Sequence, residues 1–176
     1  ASLDSTGRIV TNTSKYGKVT VHYYIMNPDG SLTTTRVPDA QGQDVQDAVI
    51  EGKEGNQYTT EKAKNINEKY ELVAEKLPAN ATGKIEKYNE EKLQEVIYYY
   101  RLKPAKVLIN YLEKDGDSDD SNNVILSEQE QIDGHVDDSY NTDTEHRKET
   151  ITKDGKTYTL VEDSKNTEGA MTVEDI

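Results

Sequence analysis

An acidic run in the second half of the chain has the residue types and the spacing of a calcium loop. Asp115, Asp117 and Asp119 stand at alternate positions, and alternate carboxylates are how such loops supply hard oxygen ligands from one short turn. The match is partial, because Asp120 stands where glycine is expected and Leu126 where a bidentate glutamate is expected. Two interpretations therefore stay open: a calcium site, or a solvated hairpin tip.

The other groups that could carry chemistry are the histidines and the hydroxyls. His22, His135 and His146 share no spacing that would put two imidazoles on one metal ion, so we expect them to be structural. No nucleophile elbow, phosphate-binding loop or paired-carboxylate motif frames the Ser, His and Asp residues. The chain has no Cys, which excludes disulfides, thiolate metal sites and a cysteine nucleophile. We therefore expect no enzyme activity.

The charge balance excludes two classes of partner. The chain has 176 residues, a formal net charge of −13 and 32% hydrophobic residues. An acidic surface repels nucleic-acid phosphates and anionic lipid, and no apolar run approaches the ~20 residues that a membrane-spanning helix needs. The first seven residues have no basic region and no apolar stretch, so we expect a fragment, or a chain from which a signal peptide was removed.

The first module begins with a predicted β-hairpin. Val19, Val21, Tyr23 and Ile25 alternate with residues of the other face, which is the period of two expected of a half-buried strand. Residues 27–30, Asn-Pro-Asp-Gly, predict a turn, and residues 32–37 follow as the returning strand. The chain has 12 Tyr with no Phe and no Trp, and such rings suit half-buried sheet positions.

The rest of the first module predicts a helix followed by two strands. Apolar residues recur at near-helical spacing within residues 58–69, behind two threonines that could cap a helix. These recurring residues are Tyr58, Ala63, Ile66 and Tyr70. Residues 70–74 predict a strand, and residues 95–102 carry the strongest strand pattern in the chain. The predicted order is strand, strand, helix, strand, strand.

The second half of the chain repeats the first, with small differences in length. The first strand recurs in the following way: Val19, Val21 and Tyr23 return as Val107, Ile109 and Tyr111. The glycine block recurs likewise: Ile50, Gly52, Tyr58 and Thr60 return as Ile132, Gly134, Tyr140 and Thr142. We therefore divide the chain into a linker at residues 1–16, a module at residues 17–103 and a second module at residues 104–176.

These motifs resemble the MucBP and Mub repeats of mucus-binding surface adhesins of lactic acid bacteria and related Gram-positive bacteria. The resemblance rests on Val-x-Val-x-Tyr at residues 19–23, Gly followed by Tyr-x-Thr at residues 52–60, Tyr-x-Leu at residues 70–72 and Val-x-Tyr-x-Tyr at residues 96–100. It implies an α+β fold of two tandem ubiquitin-like β-grasp modules that form an elongated rod. It also implies an extracellular, monomeric repeat, anchored to the cell wall through another part of its parent, that binds mucin oligosaccharides or host glycoproteins such as an immunoglobulin.

A ligand-binding surface follows from this fold and from the alternation of the strands. In a β-grasp sheet the first and last strands are parallel neighbours, so Tyr24, Tyr99, His22 and Ile97 would share the outward face. We call these four residues the outer strip, a surface on which a sugar ring can stack. The opposing interpretation is that another segment covers the outer strip and that its tyrosines only favour strand formation.

The second module differs from the first in two respects. It has Asn110 and Leu112 in the places of His22 and Tyr24, so we expect the stronger site in the first module. The offset of 86 residues that relates Gly83 to Gly169 puts its closing strand near positions 182–186, beyond the last residue of this sequence. Residues 8–11 have strand character and could cover that open edge between molecules.

Two functions of different class remain. The modules either recognise mucin glycans or host glycoproteins, or form a structural spacer in a wall-anchored stalk with no ligand of its own. Exposure of Tyr24 and Tyr99 favours recognition, and their burial favours the spacer. The negative charge argues against sialylated or sulfated glycans, because like charges repel.

Overall fold

The computed structural model describes residues 2–3, 9–10, 15–114, 124–162 and 164–173. The chain divides into two compact units, Ala1–Leu102 and Lys103–Ile176. The described residues form β-strands, turns and irregular segments, with a 3₁₀ turn at Ala74–Lys76 and no α-helix. Within these residues no helix has the length and apolar character needed to cross a membrane.

Nine strands lie within the described residues of the first unit. They are β1 Ser2–Leu3, β2 Ile9–Val10, β3 Tyr16–Met26, β4 Leu32–Arg36, β5 Ala48–Lys53, β6 Gln57–Thr59, β7 Tyr70–Leu72, β8 Thr82–Lys84 and β9 Gln94–Leu102. The main sheet has the order β4, β3, β9, β7, and β5 also pairs with β3. β3 and β9 are parallel at its centre, and the other pairs are antiparallel.

The alternation of the two central strands builds the core of the first unit. The side chains of β3 and β9 that belong to the hydrophobic core cluster are Val19, Val21, Tyr23, Val96, Tyr98 and Tyr100. Full burial of a large apolar side chain stabilises the folded state by about 1.5–3 kcal/mol. Burial of these side chains therefore determines which face of each strand is turned toward the core. The predicted hairpin of β3 and β4 and the predicted strand β9 are confirmed.

The helix predicted over residues 58–69 is wrong, and so is the α+β class that depended on it. Residues 57–59 form β6, which pairs with β8, and an irregular segment follows as far as β7. The backbone N–H of Thr60 donates to the Ala81 carbonyl at 2.9 Å, and that of Ala63 donates to Tyr100 Oη at 2.7 Å. These hydrogen bonds to residues distant in sequence use N–H groups that would otherwise bond along a helix. The apolar residues at near-helical spacing still pack on the core, but from an irregular backbone.

Six strands lie within the described residues of the second unit. They are β10 Pro104–Leu112, β11 Ile125–His135, β12 Ser139–Asn141, β13 Thr150–Lys153, β14 Lys156–Thr159 and β15 Glu168–Ala170. The antiparallel pairs are β10 with β11, β12 with β15 and β13 with β14. Among the described residues β10 pairs with β11 alone, whereas its counterpart β3 has partners on both sides.

Side chains on β10 are less buried than their counterparts on β3. Val107, Ile109 and Tyr111 are half-buried, although the residues that they repeat in β3 are buried. Of the segment at residues 8–11, Ile9–Val10 pairs with Ser2–Leu3 of the same chain. Its pairing between molecules stays a prediction.

Candidate functional site

The parallel pairing of β3 and β9 brings the four residues of the outer strip together. His22 is the register partner of Ile97, and Tyr24 is the register partner of Tyr99. Their neighbours along both strands point into the core, so all four side chains lie on the opposite, outer face. Each is half-buried rather than fully exposed.

The two rings on β3 form one continuous surface. The His22 and Tyr24 rings stack with their centroids 4.9 Å apart and an interplanar angle of 12°. Partial burial, followed by the nearby Asp47 and Glu95 carboxylates, raises the pKa of the Tyr24 hydroxyl. The hydroxyl therefore stays protonated at neutral pH and can donate a hydrogen bond to a ligand.

Carboxylates hold the His22 ring on both sides. Its Nε2 lies 3.1 Å from Glu95 Oε2, and its Nδ1 lies 3.1 Å from Asp47 Oδ1. The Nδ1 and Oδ1 atoms are both buried but not aligned for a hydrogen bond. Asp47 also accepts a hydrogen bond from Arg36 Nη2 at 3.1 Å. These contacts hold the imidazole flat against Tyr24.

A second ion-pair cluster lies at the C-terminal end of β9. Arg101 donates through Nε to Glu71 at 3.2 Å and through Nη1 to Glu75. The hydrogen bond from Arg101 lowers the pKa of Glu75, and the hydrogen bonds to Glu75 and Glu71 raise the pKa of Arg101. The outer face is therefore an aromatic and apolar strip with paired charges at its borders.

Sequence reasoning missed two of the residues that border the outer strip, Asp47 and Arg36. Asp47 directly precedes β5, a strand that the sequence patterns did not predict, and Arg36 ends β4. Alternation along β4 would have assigned Arg36 to the outer face once the register with Tyr24 was known. No local signal points to Asp47 as a partner of His22.

The second unit does not reproduce the outer strip. Asn110 replaces His22, and its Oδ1 accepts a hydrogen bond from Gln129 Nε2 at 2.8 Å. Leu112 replaces Tyr24. This face carries no stacked pair of aromatic rings within the described residues, so an aromatic contact with a ligand belongs to the first unit.

The second unit instead has a cleft of about 890 Å³ along β10. Its wall includes Tyr111, whose hydroxyl donates to Glu130, and His146, whose Nδ1 lies 3.0 Å from the same Glu130 oxygen. Lys148 Nζ lies 4.6 Å from the centroid of the Tyr111 ring. Burial and then Glu130 raise the pKa of Tyr111, while the hydrogen bonds from Tyr111 and then His146 lower the pKa of Glu130. These groups satisfy one another across the pair of β10 and β11, with His146 contributed by the loop after β12.

The predicted calcium ligands Asp115, Asp117 and Asp119 lie outside the described residues. Within those residues, no group of three or more His, Cys, Asp or Glu side chains is arranged to hold a metal ion. Calcium binding by the acidic run therefore stays a prediction.

Comparison with protein families finds the same family in both halves of the chain. The family model described as MucBP domain matches residues 18–101 and, a second time, residues 106–175. No curated protein matches the chain. The two matches confirm the internal repeat that the sequence patterns predict.

Proposed function

The chain belongs to the MucBP domain family, with one copy of the domain in each unit, and from this premise we propose that it is an adhesin repeat whose first unit binds mucin glycans or host glycoproteins. The observation that carries this proposal is the outer strip. Tyr24, Tyr99, His22 and Ile97 lie side by side on one face of the first unit, where aromatic rings can stack on the apolar face of a sugar.

The arrangement around the outer strip suits a neutral ligand. Arg36, Asp47 and Glu95 stand beside the stacked rings, and their side chains can exchange hydrogen bonds with sugar hydroxyls. The two negative charges of Asp47 and Glu95 exceed the one positive charge of Arg36, and the whole chain has a net charge of −13. We therefore expect neutral glycans to bind better than sialylated or sulfated ones.

Each unit is, in this proposal, a module of the β-grasp type. The support is the central parallel pair of β3 and β9 in the first unit, which a β-grasp sheet requires. The irregular segment at residues 60–69 covers the core where a β-grasp has its helix.

MucBP domains occur in extracellular surface proteins, and we extend this location to the present chain. The parent protein is exported and held on the cell wall through a part outside this sequence. The repeat acts as a monomer, and it adheres through contacts with host glycans without a bound cofactor. The one cation that the sequence suggests is calcium, at Asp115, Asp117 and Asp119.

One observation favours a structural spacer as the second candidate. All four residues of the outer strip are half-buried, and His22 is held between two carboxylates. A surface whose side chains are already packed and held in place gains less from a ligand. In a stalk, such packing would serve only to stiffen the sheet.

Binding of the 176-residue chain to immobilised mucin separates the two candidates. We expect saturable binding by the wild type and at least a tenfold loss of affinity in a Tyr24→Ala/Tyr99→Ala double variant, because both stacking surfaces are removed. Leu108→Ala is the matched control, since Leu108 is exposed on β10 of the second unit and lies outside the outer strip. Circular dichroism must show that each variant is folded.

A folded wild type that does not bind mucin would leave the spacer as the function. The same assay with a chelator tests the acidic run. Loss of binding on chelation would move the ligand site toward Asp115, Asp117 and Asp119, and away from the outer strip.

A further inference from the structure

A second pair of tyrosines lies at the other end of β3. Tyr16 and Tyr88 are 37% and 42% exposed, and their ring centroids are 6.2 Å apart with an interplanar angle of 48°. Neither residue entered the sequence-based prediction of a binding surface. Exposed aromatic rings in contact with each other are the residue type that also makes the outer strip a candidate site.

Backbone and side-chain contacts hold this pair in place. The backbone N–H of Tyr88 donates to the Tyr16 carbonyl at 2.8 Å, so the loop that carries Tyr88 runs beside the start of β3. Lys18 Nζ lies 5.7 Å from the centroid of the Tyr88 ring, within range of a cation–π contact. Partial burial, followed by a hydrogen bond with Glu51, raises the pKa of the Tyr16 hydroxyl.

Tyr16 lies on the same face of the sheet as the outer strip. Tyr16 and Tyr24 are an even number of residues apart on β3, and the odd-numbered Val19, Val21 and Tyr23 between them point into the core. At ~3.3 Å per residue, the two positions are about 26 Å apart along the strand. A single sugar cannot contact both aromatic pairs.

We propose that the outer face of the first unit binds an extended, neutral oligosaccharide chain at two aromatic contacts, Tyr24 with Tyr99 at one end and Tyr16 with Tyr88 at the other. This inference rests on the proposed function and names its ligand as a glycan chain rather than a terminal sugar. Two weak stacking contacts on one chain reinforce each other, because the second forms at a high effective concentration once the first is made.

The internal repeat supplies a natural comparison for this arrangement. The offset of 88 residues that relates Val19 to Val107 puts Pro104 in the place of Tyr16. Leu112 stands in the place of Tyr24. Neither end of β10 therefore has the aromatic residue that β3 has, and the two-contact surface is specific to the first unit.

The test compares a short and a long neutral glycan of the same chemistry. The probes are the disaccharide N-acetyllactosamine and poly-N-acetyllactosamine, with affinities for the 176-residue chain measured by titration calorimetry. We expect the polymer to bind the wild type at least tenfold more tightly than the disaccharide. A Tyr16→Ala/Tyr88→Ala variant should lose at least tenfold in affinity for the polymer and keep its affinity for the disaccharide. A Tyr16→Phe/Tyr88→Phe variant, which keeps both rings, should bind the polymer within threefold of the wild type.

The possible failures are distinct. If the wild type binds mucin and the Tyr16→Ala/Tyr88→Ala variant binds the polymer equally well, the second contact is wrong while the proposed function stands. Equal affinity of the wild type for disaccharide and polymer, or no binding of the polymer, also overturns the inference. A wild type that binds neither mucin nor polymer refutes both proposals.

Discussion

The buried hydroxyl of Tyr100 makes the first unit sensitive to alkaline pH. Tyr100 is 1% exposed, and its Oη accepts the backbone N–H of Ala63 at 2.7 Å. Burial raises the pKa of Tyr100 to about 12, against 10.0 for a free tyrosine. Because the folded state holds this proton more tightly, its contribution to stability is fully present below pH 10 and is lost as the pH rises toward 12.

The magnitude follows from the size of this shift. A difference of one pKa unit corresponds to about 1.4 kcal/mol, so through Tyr100 the wild type should lose about 1.4 kcal/mol by pH 11 and about 2.3 kcal/mol by pH 12. A Tyr100→Phe variant cannot undergo this titration. At pH 8 the variant should be less stable by about 1 kcal/mol, since the Ala63 N–H loses its acceptor.

The assay is urea unfolding at a series of pH values from 8 to 11.5, followed through the NMR methyl signals of Val19 and Val96, which report on the core of the first unit. The other tyrosines titrate in both proteins, so the difference between wild type and Tyr100→Phe isolates Tyr100. We expect the variant's deficit to shrink, and then to reverse, as the pH rises above 10. A difference that stays constant across the series would show that burial of Tyr100 is not linked to alkaline stability.

Two further predictions concern backbone packing at Gly17 and strand pairing of β10. Gly17→Ala should destabilise the first unit by at least about 2 kcal/mol, because a Cβ at Gly17 would lie 2.0 Å from the Glu86 carbonyl oxygen. The control Gly52→Ala should destabilise it less, because its Cβ would meet only the flexible Ile85 side chain, at 3.2 Å. Equal midpoints of thermal unfolding for the two variants would contradict this prediction. Backbone amides of β10 should exchange with deuterium at least about tenfold faster than those of β3. The reason is that β10 has one partner strand among the described residues, whereas β3 has partners on both sides. Equal protection of the two strands, measured by mass spectrometry or NMR, would contradict this difference in pairing.

The strands of the main sheet could be predicted because their pattern is local. Val19, Val21 and Tyr23 alternate within a few residues, and a period of two has one structural solution when one face is buried. The helix prediction failed because near-helical spacing at Tyr58 and Ala63 is also compatible with an irregular backbone that places both side chains on the same core. The bond from Ala63 to Tyr100, 37 residues away, has no signal in the local sequence.

The candidate site shows the same division. Alternation along the strands predicted that Tyr24 and Tyr99 face outward. That their two strands are neighbours followed from the fold that the family resemblance implies. The partners of His22 did not follow, because Asp47 belongs to a segment without a clear pattern and Glu95 is 73 residues away. The pair of Tyr16 and Tyr88 depends on a loop conformation, which no periodicity encodes.

By itself the sequence determined the repeat, the polarity of the strand faces and the family, since each depends on residue types at short spacing. Only the tertiary structure decided the parallel register that puts His22 beside Ile97, the carboxylates around the imidazole and the second aromatic pair on the same face. Register and loop packing are long-range properties, because they come from how distant segments bury their side chains against a shared core rather than from the preferences of any one segment.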